Sequence, residues 1–270
     1  MSSLSGKHGL IVGVANRRSI SWAIARAAQA EGARLALTYP SERLEENVRE
    51  LAEQLERPVI APCDVASDAQ MADLAATLDR EFGGLDFLVH GAGFAPADAL
   101  NRPFVEVSRE SFRIALDISA YSLIGLTRAM LPLMEKRGGG SVVTLTYLGS
   151  DRVFPNYNVM GVAKAALESS VRYLAADLGP KNIRVNAISA GAIRTLAASG
   201  ISGFSLMLQM YREHAPLRRA VDAAEVADAA VFLLGPGARA ITGEVMMVDA
   251  GFHAMGGVPS PPAARDRGTA

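Results

Sequence analysis

Two tyrosines and a lysine near the middle of the chain have the residue types needed to move a hydride and a proton. Tyr147 and Tyr157 are ten residues apart, and Lys164 follows Tyr157 by seven. On a helix of 3.6 residues per turn, a seven-residue interval brings a side chain back to within about 20° of its first azimuth. We therefore expect Tyr157 and Lys164 to share one helix face and line one cleft. Tyr147 is expected beside them, at the end of the preceding strand.

Length and composition indicate a single α/β domain over residues 1–255. The chain has 270 residues, half of them hydrophobic, which is enough to bury one large core. Residues 256–270 are rich in glycine and proline and lack an apolar period, so we expect a disordered tail.

Charge and cysteine content narrow the range of partners. The formal net charge of -1 gives no extended basic field for nucleic acid, so we expect small molecules or acyl carriers as partners. One cysteine and four dispersed histidines predict neither a disulfide framework nor a metal site. No uninterrupted apolar run reaches the ~18 residues of a membrane span, and no signal peptide is evident. These features predict a soluble, cytoplasmic protein without membrane partners.

Short apolar runs alternate with longer segments of helical periodicity. Seven strands interleaved with helices predict a single Rossmann-type, doubly wound, seven-stranded parallel sheet with helices on both faces. The predicted strands are Leu10–Val12, Arg34–Tyr39, Val59–Ala61, Leu85–His90, Ser141–Thr146, Ile183–Ile188 and Val245–Val248. The predicted helices are Ile20–Glu31, Leu44–Leu55, Ala69–Phe82, Phe112–Met134, Val159–Leu178 and Ala224–Leu234.

Ligands of such a sheet bind outside the carboxyl ends of the strands, so the first strand-to-helix turn is a candidate cofactor site. It contains Gly13 alone of the three glycines of the general dinucleotide fingerprint. We expect Ser19 to cap the helix that begins at Ile20, where its hydroxyl and the free amides can hold a pyrophosphate. The alternative interpretation is a plain cap and tight turn.

Two further turns can contact a dinucleotide. Asp64 and Val65 follow the third strand and can meet an adenine edge, although Asp64 can equally cap its own turn. Ala92 lies between Gly91 and Gly93 after the fourth strand, where small residues let a ribose or nicotinamide approach the backbone. A tight turn without a ligand is again the alternative.

From residue 4 to residue 252 the chain resembles the bacterial NADH-dependent enoyl-acyl-carrier-protein reductases, a divergent branch of the short-chain dehydrogenases. The spacing of a tyrosine, six residues and a lysine is that of this family, whereas an ordinary short-chain dehydrogenase has its tyrosine at the position of Met160. The resemblance is strongest in residues 13–20, 63–65, 93–96, 147–149, 155–161 and 186–200.

The resemblance implies reduction of the trans-2 double bond of an enoyl thioester on acyl carrier protein, with NADH as cofactor, by a homotetramer. Hydride delivered to the β carbon makes an enolate, whose oxygen needs a hydrogen-bond donor. Tyr157 is the expected donor, Lys164 the expected clamp on the nicotinamide ribose, and Tyr147 is expected to shape or polarise the site.

The segment after the sixth strand is expected to complete the binding sites for the cofactor and for the acyl chain. As in the resembled family, Ile193 can meet the nicotinamide carboxamide through its backbone and Thr195 can reach the pyrophosphate. Residues 196–215 carry an apolar stripe, which we interpret as a lid over the acyl chain rather than core packing alone. The expected substrate contacts are Ala95, Tyr157, Ile201, Phe204 and Met207.

The chain departs from the resembled pattern at two cofactor positions. Gly91 stands where many relatives have serine, and Pro40 stands where a polar side chain often meets the adenosine. We expect NADH to be preferred over NADPH, because Pro40 and Ser41 carry no charge and Glu42 repels a 2′-phosphate.

Two other functions remain open on the sequence alone. A carbonyl-reducing short-chain dehydrogenase is disfavoured by Met160, and a nucleotide-binding regulator without turnover is disfavoured by the intact Tyr157 and Lys164.

Overall fold

A seven-stranded, wholly parallel sheet forms the centre of the protein, as the sequence predicts. The computed structural model describes residues 3–195 and 203–256. The strand order is β3-β2-β1-β4-β5-β6-β7, so the chain reverses its direction of winding between β1 and β4. The strands are β1 (His8–Val12), β2 (Arg34–Tyr39), β3 (Val59–Pro62), β4 (Phe87–His90), β5 (Gly140–Thr146), β6 (Ile183–Ala190) and β7 (Val245–Val248).

Helices cover both faces of the sheet and form two apolar cores. Helices α1, α2 and α9 contribute to one core, and α3, α6 and α7 to the other. Burial on both faces explains the continuous apolar runs in the central strands, such as Leu10–Val12 in β1 and Phe87–Val89 in β4. The helices are α1 (Ile20–Ala30), α2 (Glu42–Ala52), α3 (Asp68–Phe82), α4 (Ala97–Asn101), α5 (Arg109–Leu116), α6 (Ser122–Lys136), α7 (Val159–Leu178), α8 (Phe204–His214) and α9 (Ala223–Leu234).

A π turn, Asp117–Tyr121, joins α5 to α6 where the sequence predicts one uninterrupted α-helix. The most apolar 18-residue window of Arg109–Lys136 has a mean hydropathy of 1.3, so this stretch has the length and composition of a membrane span. Half of its most apolar window is buried inside the protein. One such helix is weak evidence for a membrane span, because the core helix of a soluble protein has the same composition.

Candidate active site

The predicted site residues gather at the carboxyl edge of the sheet, around the reversal between β1 and β4. Val12 and His90 are paired in adjacent strands, so the turns after β1 and β4 lie side by side. Tyr147 comes after β5, and Ile193 after β6, in the next positions along the same edge. This edge is where doubly wound sheets bind their ligands.

The turn after β1 requires its glycine. Gly13 has φ of +96°, and a Cβ there would overlap the carbonyl oxygen of Gly91 in the neighbouring turn. Two features therefore exclude a side chain at residue 13: the backbone conformation and the close approach of the two turns.

Ser19 stabilises this turn in a different way from the predicted cap. Its hydroxyl accepts the amides of Ala15 and Asn16, both at 3.1 Å, and makes no capping bond to α1. The amides of Ile20 and Ser21 at the start of α1 donate to no group in the described residues. Free amides at a helix N-terminus are suited to a phosphate group, so the turn fits a dinucleotide.

The turns after β3 and β4 differ in how strongly they indicate a ligand. One carboxylate oxygen of Asp64 accepts the amide of Ala66 at 3.0 Å, so the side chain does cap its own turn. Val65 beside it is buried. Ala92 is partly buried and packs against the core that contains α3, α6 and α7.

Tyr157 does not lie on α7, so the helical azimuth argument was wrong for it. The helix begins at Val159, and its N-cap Asn158 has φ of +40°, a conformation that breaks the helical path. Tyr157 instead occupies the turn before the helix, with its ring against Gly149. A Cβ on Gly149 would overlap that ring, which makes glycine necessary there.

The two tyrosines of the motif are in contact. Their ring centroids are 5.1 Å apart in an edge-to-face arrangement. Burial raises the pKa of Tyr157 well above its ordinary value, and the Glu168 carboxylate raises it further. The Tyr157 hydroxyl bonds to no group in the described part of the chain, so a buried, protonated donor remains free for a ligand.

The Tyr147 hydroxyl is already engaged. It donates to the sulfur of Met207 at 3.0 Å, so helix α8 closes directly over it. Burial, followed by the neighbouring Tyr211, raises the pKa of Tyr147 far above its ordinary value. Tyr147 is thus a protonated group held against α8.

Lys164 is buried at the same edge of the sheet. Its ammonium donates to the carbonyl of Leu145 in β5 at 2.8 Å. Burial lowers the pKa of Lys164 to about 8, although the charge of Glu168 acts in the opposite direction. The Cβ position of a residue at 93 would lie 3.6 Å from this nitrogen, so Lys164 faces the turn after β4.

The predicted substrate contacts are only partly within the described residues. Ala95 packs against a small cluster that includes Val159 at the start of α7. Phe204 and Met207 lie on α8 and contact the core, while Ile201 and the other residues of 196–202 lie outside the described part. Ile193 is partly buried, and its carbonyl accepts the amide of Thr195 at 2.8 Å.

Comparison with known proteins agrees with this geometry. A sequence profile described as enoyl-(acyl carrier protein) reductase matches residues 13–253. The chain belongs to this family. It is 49% identical to the NADH enoyl-acyl-carrier-protein reductase of Aquifex aeolicus, over 95% of this chain and 94% of that protein.

Solved structures of the enoyl-acyl-carrier-protein reductases superpose closely on the chain. The Bacillus cereus enzyme, in complex with NADP+ and an indole naphthyridinone, has a TM-score of 0.92 at 49% identity, over 95% of this chain and all of that one. The Anaplasma phagocytophilum enzyme in complex with NAD has a TM-score of 0.90 at 44% identity, over 95% of this chain and 97% of that one.

Two residues of this reductase site were missed by the sequence interpretation. Glu168, one helical turn after Lys164, accepts the Thr146 hydroxyl at 2.6 Å and acts on the pKa of both Tyr157 and Lys164. The four-residue spacing from Lys164 could have indicated it. The other is Ser119, whose hydroxyl lies 3.6 Å from the sulfur of Met160. No local pattern marks Ser119, because its position depends on the π turn.

Proposed function

We propose that this chain reduces the trans-2 double bond of enoyl thioesters carried by acyl carrier protein, with NADH, in fatty-acid elongation. The observation that carries the proposal is the hydroxyl of Tyr157, which is buried, has no bonding partner in the described residues, and belongs to a ring in contact with Tyr147. Met160 occupies the place of the tyrosine of carbonyl-reducing relatives, and a thioether has no proton to donate.

Tyr157 serves as the donor to the enolate. NADH, when bound, supplies a hydride to the β carbon, and negative charge then develops on the thioester oxygen. A preorganised hydroxyl in a water-poor site stabilises that charge more strongly than water does. Because its pKa is raised, Tyr157 stays protonated across the neutral range and remains a donor throughout. Its contact with Tyr147 fixes the orientation of its ring.

Lys164 serves as the clamp on the nicotinamide ribose. Its ammonium has three donors, and within the described part of the chain one of them is bonded, to the Leu145 carbonyl. The two others can serve ribose hydroxyls. Its positive charge also favours the developing enolate, since charges interact strongly in a buried site.

The remaining cofactor contacts lie in the turns at the carboxyl edge. Gly13 and the amides after Ser19, including that of Ile20, receive the pyrophosphate. Asp64 and Val65 border the adenine. Ala92 borders the nicotinamide ribose, while Ile193 meets the carboxamide and Thr195 the pyrophosphate.

The acyl chain lies between the turn after β4 and helix α8. Ala95 and Tyr157 form one wall, and Phe204 and Met207 form the other. The bond from Tyr147 to Met207 supports α8 as part of a lid, because opening the lid would release the Tyr147 hydroxyl.

Two apolar surfaces support a homotetramer. The face formed by α5, the π turn and α6 has a groove of about 700 Å³ beside the exposed rings of Phe112 and Tyr121. A second surface has Phe232 on α9 and Met247 on the edge strand β7. A tetramer of dihedral symmetry needs two different two-fold interfaces, and the presence of two such surfaces supports this assignment. We place the enzyme in the cytoplasm.

Oxidation of NADH with crotonyl and longer enoyl thioesters, measured beside a panel of ketones and aldehydes, tests the proposal. Turnover is expected with the enoyl thioesters only. Turnover of ketones at a comparable kcat/KM would instead identify a carbonyl reductase. NADH binding without turnover of either class would identify a nucleotide-binding regulator.

A further inference from the structure

We propose that Ser119 is a positioning residue of the reductase site, which fixes the backbone of the turn after β4 against Lys164. The inference rests on the assignment of the cleft at Tyr157 and Lys164 as the site of reduction. Ser119 is fully buried within the π turn, and its hydroxyl bonds to both the amide and the carbonyl of Phe94. It accepts the Phe94 amide at 2.9 Å and donates to the Phe94 carbonyl at 3.0 Å.

The π turn accounts for the direction in which Ser119 points. Insertion of one extra residue in a helical ladder rotates the subsequent residues by about 100° relative to an uninterrupted α-helix. Residues on either side of the turn therefore keep their core contacts while Ser119 faces the neighbouring turn. Such π segments inside α-helices are often found at functional sites.

A buried polar network holds the π turn in place. The Ser122 hydroxyl lies 2.6 Å from the Ile118 carbonyl oxygen and 2.8 Å from His90 Nε2. On the other side of the ring, the Thr144 hydroxyl lies 2.8 Å from His90 Nδ1 and 3.1 Å from the His90 carbonyl oxygen. Burial, with the Lys164 charge as a second cause, lowers the pKa of His90 to about 3, so the ring is neutral, and one of its nitrogens donates while the other accepts.

The network links the central strands to the wall of the cleft. His90 and Thr144 belong to β4 and β5, and Ser122 ties them to the π turn that presents Ser119. The Cβ position of a residue at 93 lies 3.6 Å from the Lys164 nitrogen and 4.0 Å from the Ser119 oxygen. Ser119 thus fixes the residue next to Gly93, and with it the width of the gap in front of Lys164.

Loss of the Ser119 hydroxyl should weaken binding of the enoyl thioester more than binding of the cofactor. Ser119 touches Phe94, which adjoins the predicted substrate contact Ala95, whereas the pyrophosphate turn lies after β1. In Ser119→Ala we expect the KM for crotonyl thioester to rise about tenfold, since two hydrogen bonds to the backbone are lost. We expect kcat to stay within about threefold and the NADH Kd within about twofold.

Ser141→Ala is the matched control. Ser141 is also a buried serine whose hydroxyl donates to a backbone carbonyl, that of Leu233 at 3.0 Å, but it lies at the opposite end of β5. Both variants lose one buried hydroxyl, so both should lose thermal stability. Only Ser119→Ala should change the KM.

Amide hydrogen exchange of the cofactor-free protein gives a readout independent of turnover. We expect the Phe94 amide to exchange at least about tenfold faster in Ser119→Ala and at the wild-type rate in Ser141→Ala. Ser119→Cys, which keeps a weaker donor and acceptor, should give intermediate exchange and an intermediate KM, and it serves if the alanine variant does not fold. Unchanged Phe94 exchange in both Ser119 variants, or an equal rise of KM in Ser141→Ala, would overturn the proposal. Wild-type turnover in the same assays tests the proposed function separately.

Discussion

The hydroxyl of Ser21 lies where the side chain of residue 91 would have to be. A Cβ added to Gly91 would overlap Ser21 Oγ and would lie 2.8 Å from the Val12 carbonyl oxygen. Ser21 is itself held there, because its hydroxyl donates to that carbonyl at 3.0 Å. The first turn of α1 and the turn after β4 are therefore fitted to each other. This contact gives a physical reason for glycine at position 91, where resembled enzymes often have serine.

Gly91→Ser should lower the free energy of unfolding by about 2 kcal/mol, the usual cost of overpacking a buried site. Ser21→Ala alone should cost about 1 kcal/mol, for one hydrogen bond. The double variant should be more stable than Gly91→Ser, because the overlapping hydroxyl is gone, yet less stable than the wild type, because the Val12 carbonyl remains close. Urea denaturation of the wild type, the two single variants and the double variant gives the four free energies of unfolding, and from them the interaction energy between residues 21 and 91. Strictly additive losses would show that the two residues do not compete for one space.

The roles of Tyr157 and Lys164 should separate on mutation. Tyr157→Phe removes the free hydroxyl and keeps the ring contact with Tyr147, so kcat/KM for an enoyl thioester should fall about a hundredfold, worth ~3 kcal/mol. NADH binding should change little. Lys164→Ala should instead weaken NADH binding. Steady-state kinetics and fluorescence titration measure the two effects, and equal loss of NADH binding in both variants would contradict the division of roles.

The depressed pKa of Lys164, about 8 against an ordinary 10.5, predicts two pH effects of opposite sign. The kcat/KM for NADH should be level below pH 8 and should fall about tenfold per unit above it, as the ammonium loses its proton. Folded protein binds this proton less tightly than unfolded protein does. Its contribution to stability is therefore full above pH 10.5 and is lost as pH falls through 8. Lys164→Met should lack both effects, and a kcat/KM that stays level to pH 10 in the wild type would contradict the prediction.

The fold was predictable from sequence because the apolar periods of strands and helices are strong and agree with each other. Helix α7 and strands β2 and β7 have the predicted bounds. The errors fall where one residue changes the path of the chain. A positive φ at Asn158 removes Tyr157 from α7, and the π turn redirects Ser119. Neither change alters the apolar period, so neither leaves a signal in it.

The site was predictable in its residue types and less so in its contacts. Tyr147 and Tyr157 are in contact, and Lys164 is buried at the same carboxyl edge of the sheet, because parallel strands place their C-terminal turns together. The Ser19 hydroxyl, by contrast, serves the preceding turn. A serine before a helix can bond in either direction, and only the tertiary path of the turn decides which.

Gly93 should tolerate a small side chain and reject a branched one. A Cβ there would have ordinary contacts, 3.6 Å from Lys164 and 3.9 Å from Met160, whereas the γ-methyl groups of valine would enter the gap. Gly93→Ala should keep the KM for crotonyl thioester within about threefold, and Gly93→Val should raise it about tenfold or more. Thermal unfolding controls for stability. Equal KM values in the two variants would place the substrate elsewhere.

The preference for NADH over NADPH should depend on the ion pair between Arg17, in the turn after β1, and Glu50. Residues 40–43 at the end of β2 are exposed and include one acidic and one basic side chain, so they present little net charge to a 2′-phosphate. Arg17 in the first turn pairs with Glu50 on α2 at 2.7 Å, which directs its charge towards that helix. We expect kcat/KM for NADH to exceed that for NADPH with one enoyl substrate.

In Glu50→Gln, Arg17 is freed and should raise kcat/KM for NADPH by up to about fivefold, the limit for an exposed ion pair worth about 1 kcal/mol. Arg17→Ala is the control, and adding Glu50→Gln to it should change nothing further. A wild-type preference of tenfold or more for NADPH, worth ~1.4 kcal/mol, would refute the prediction and direct attention to Arg18 and Arg43.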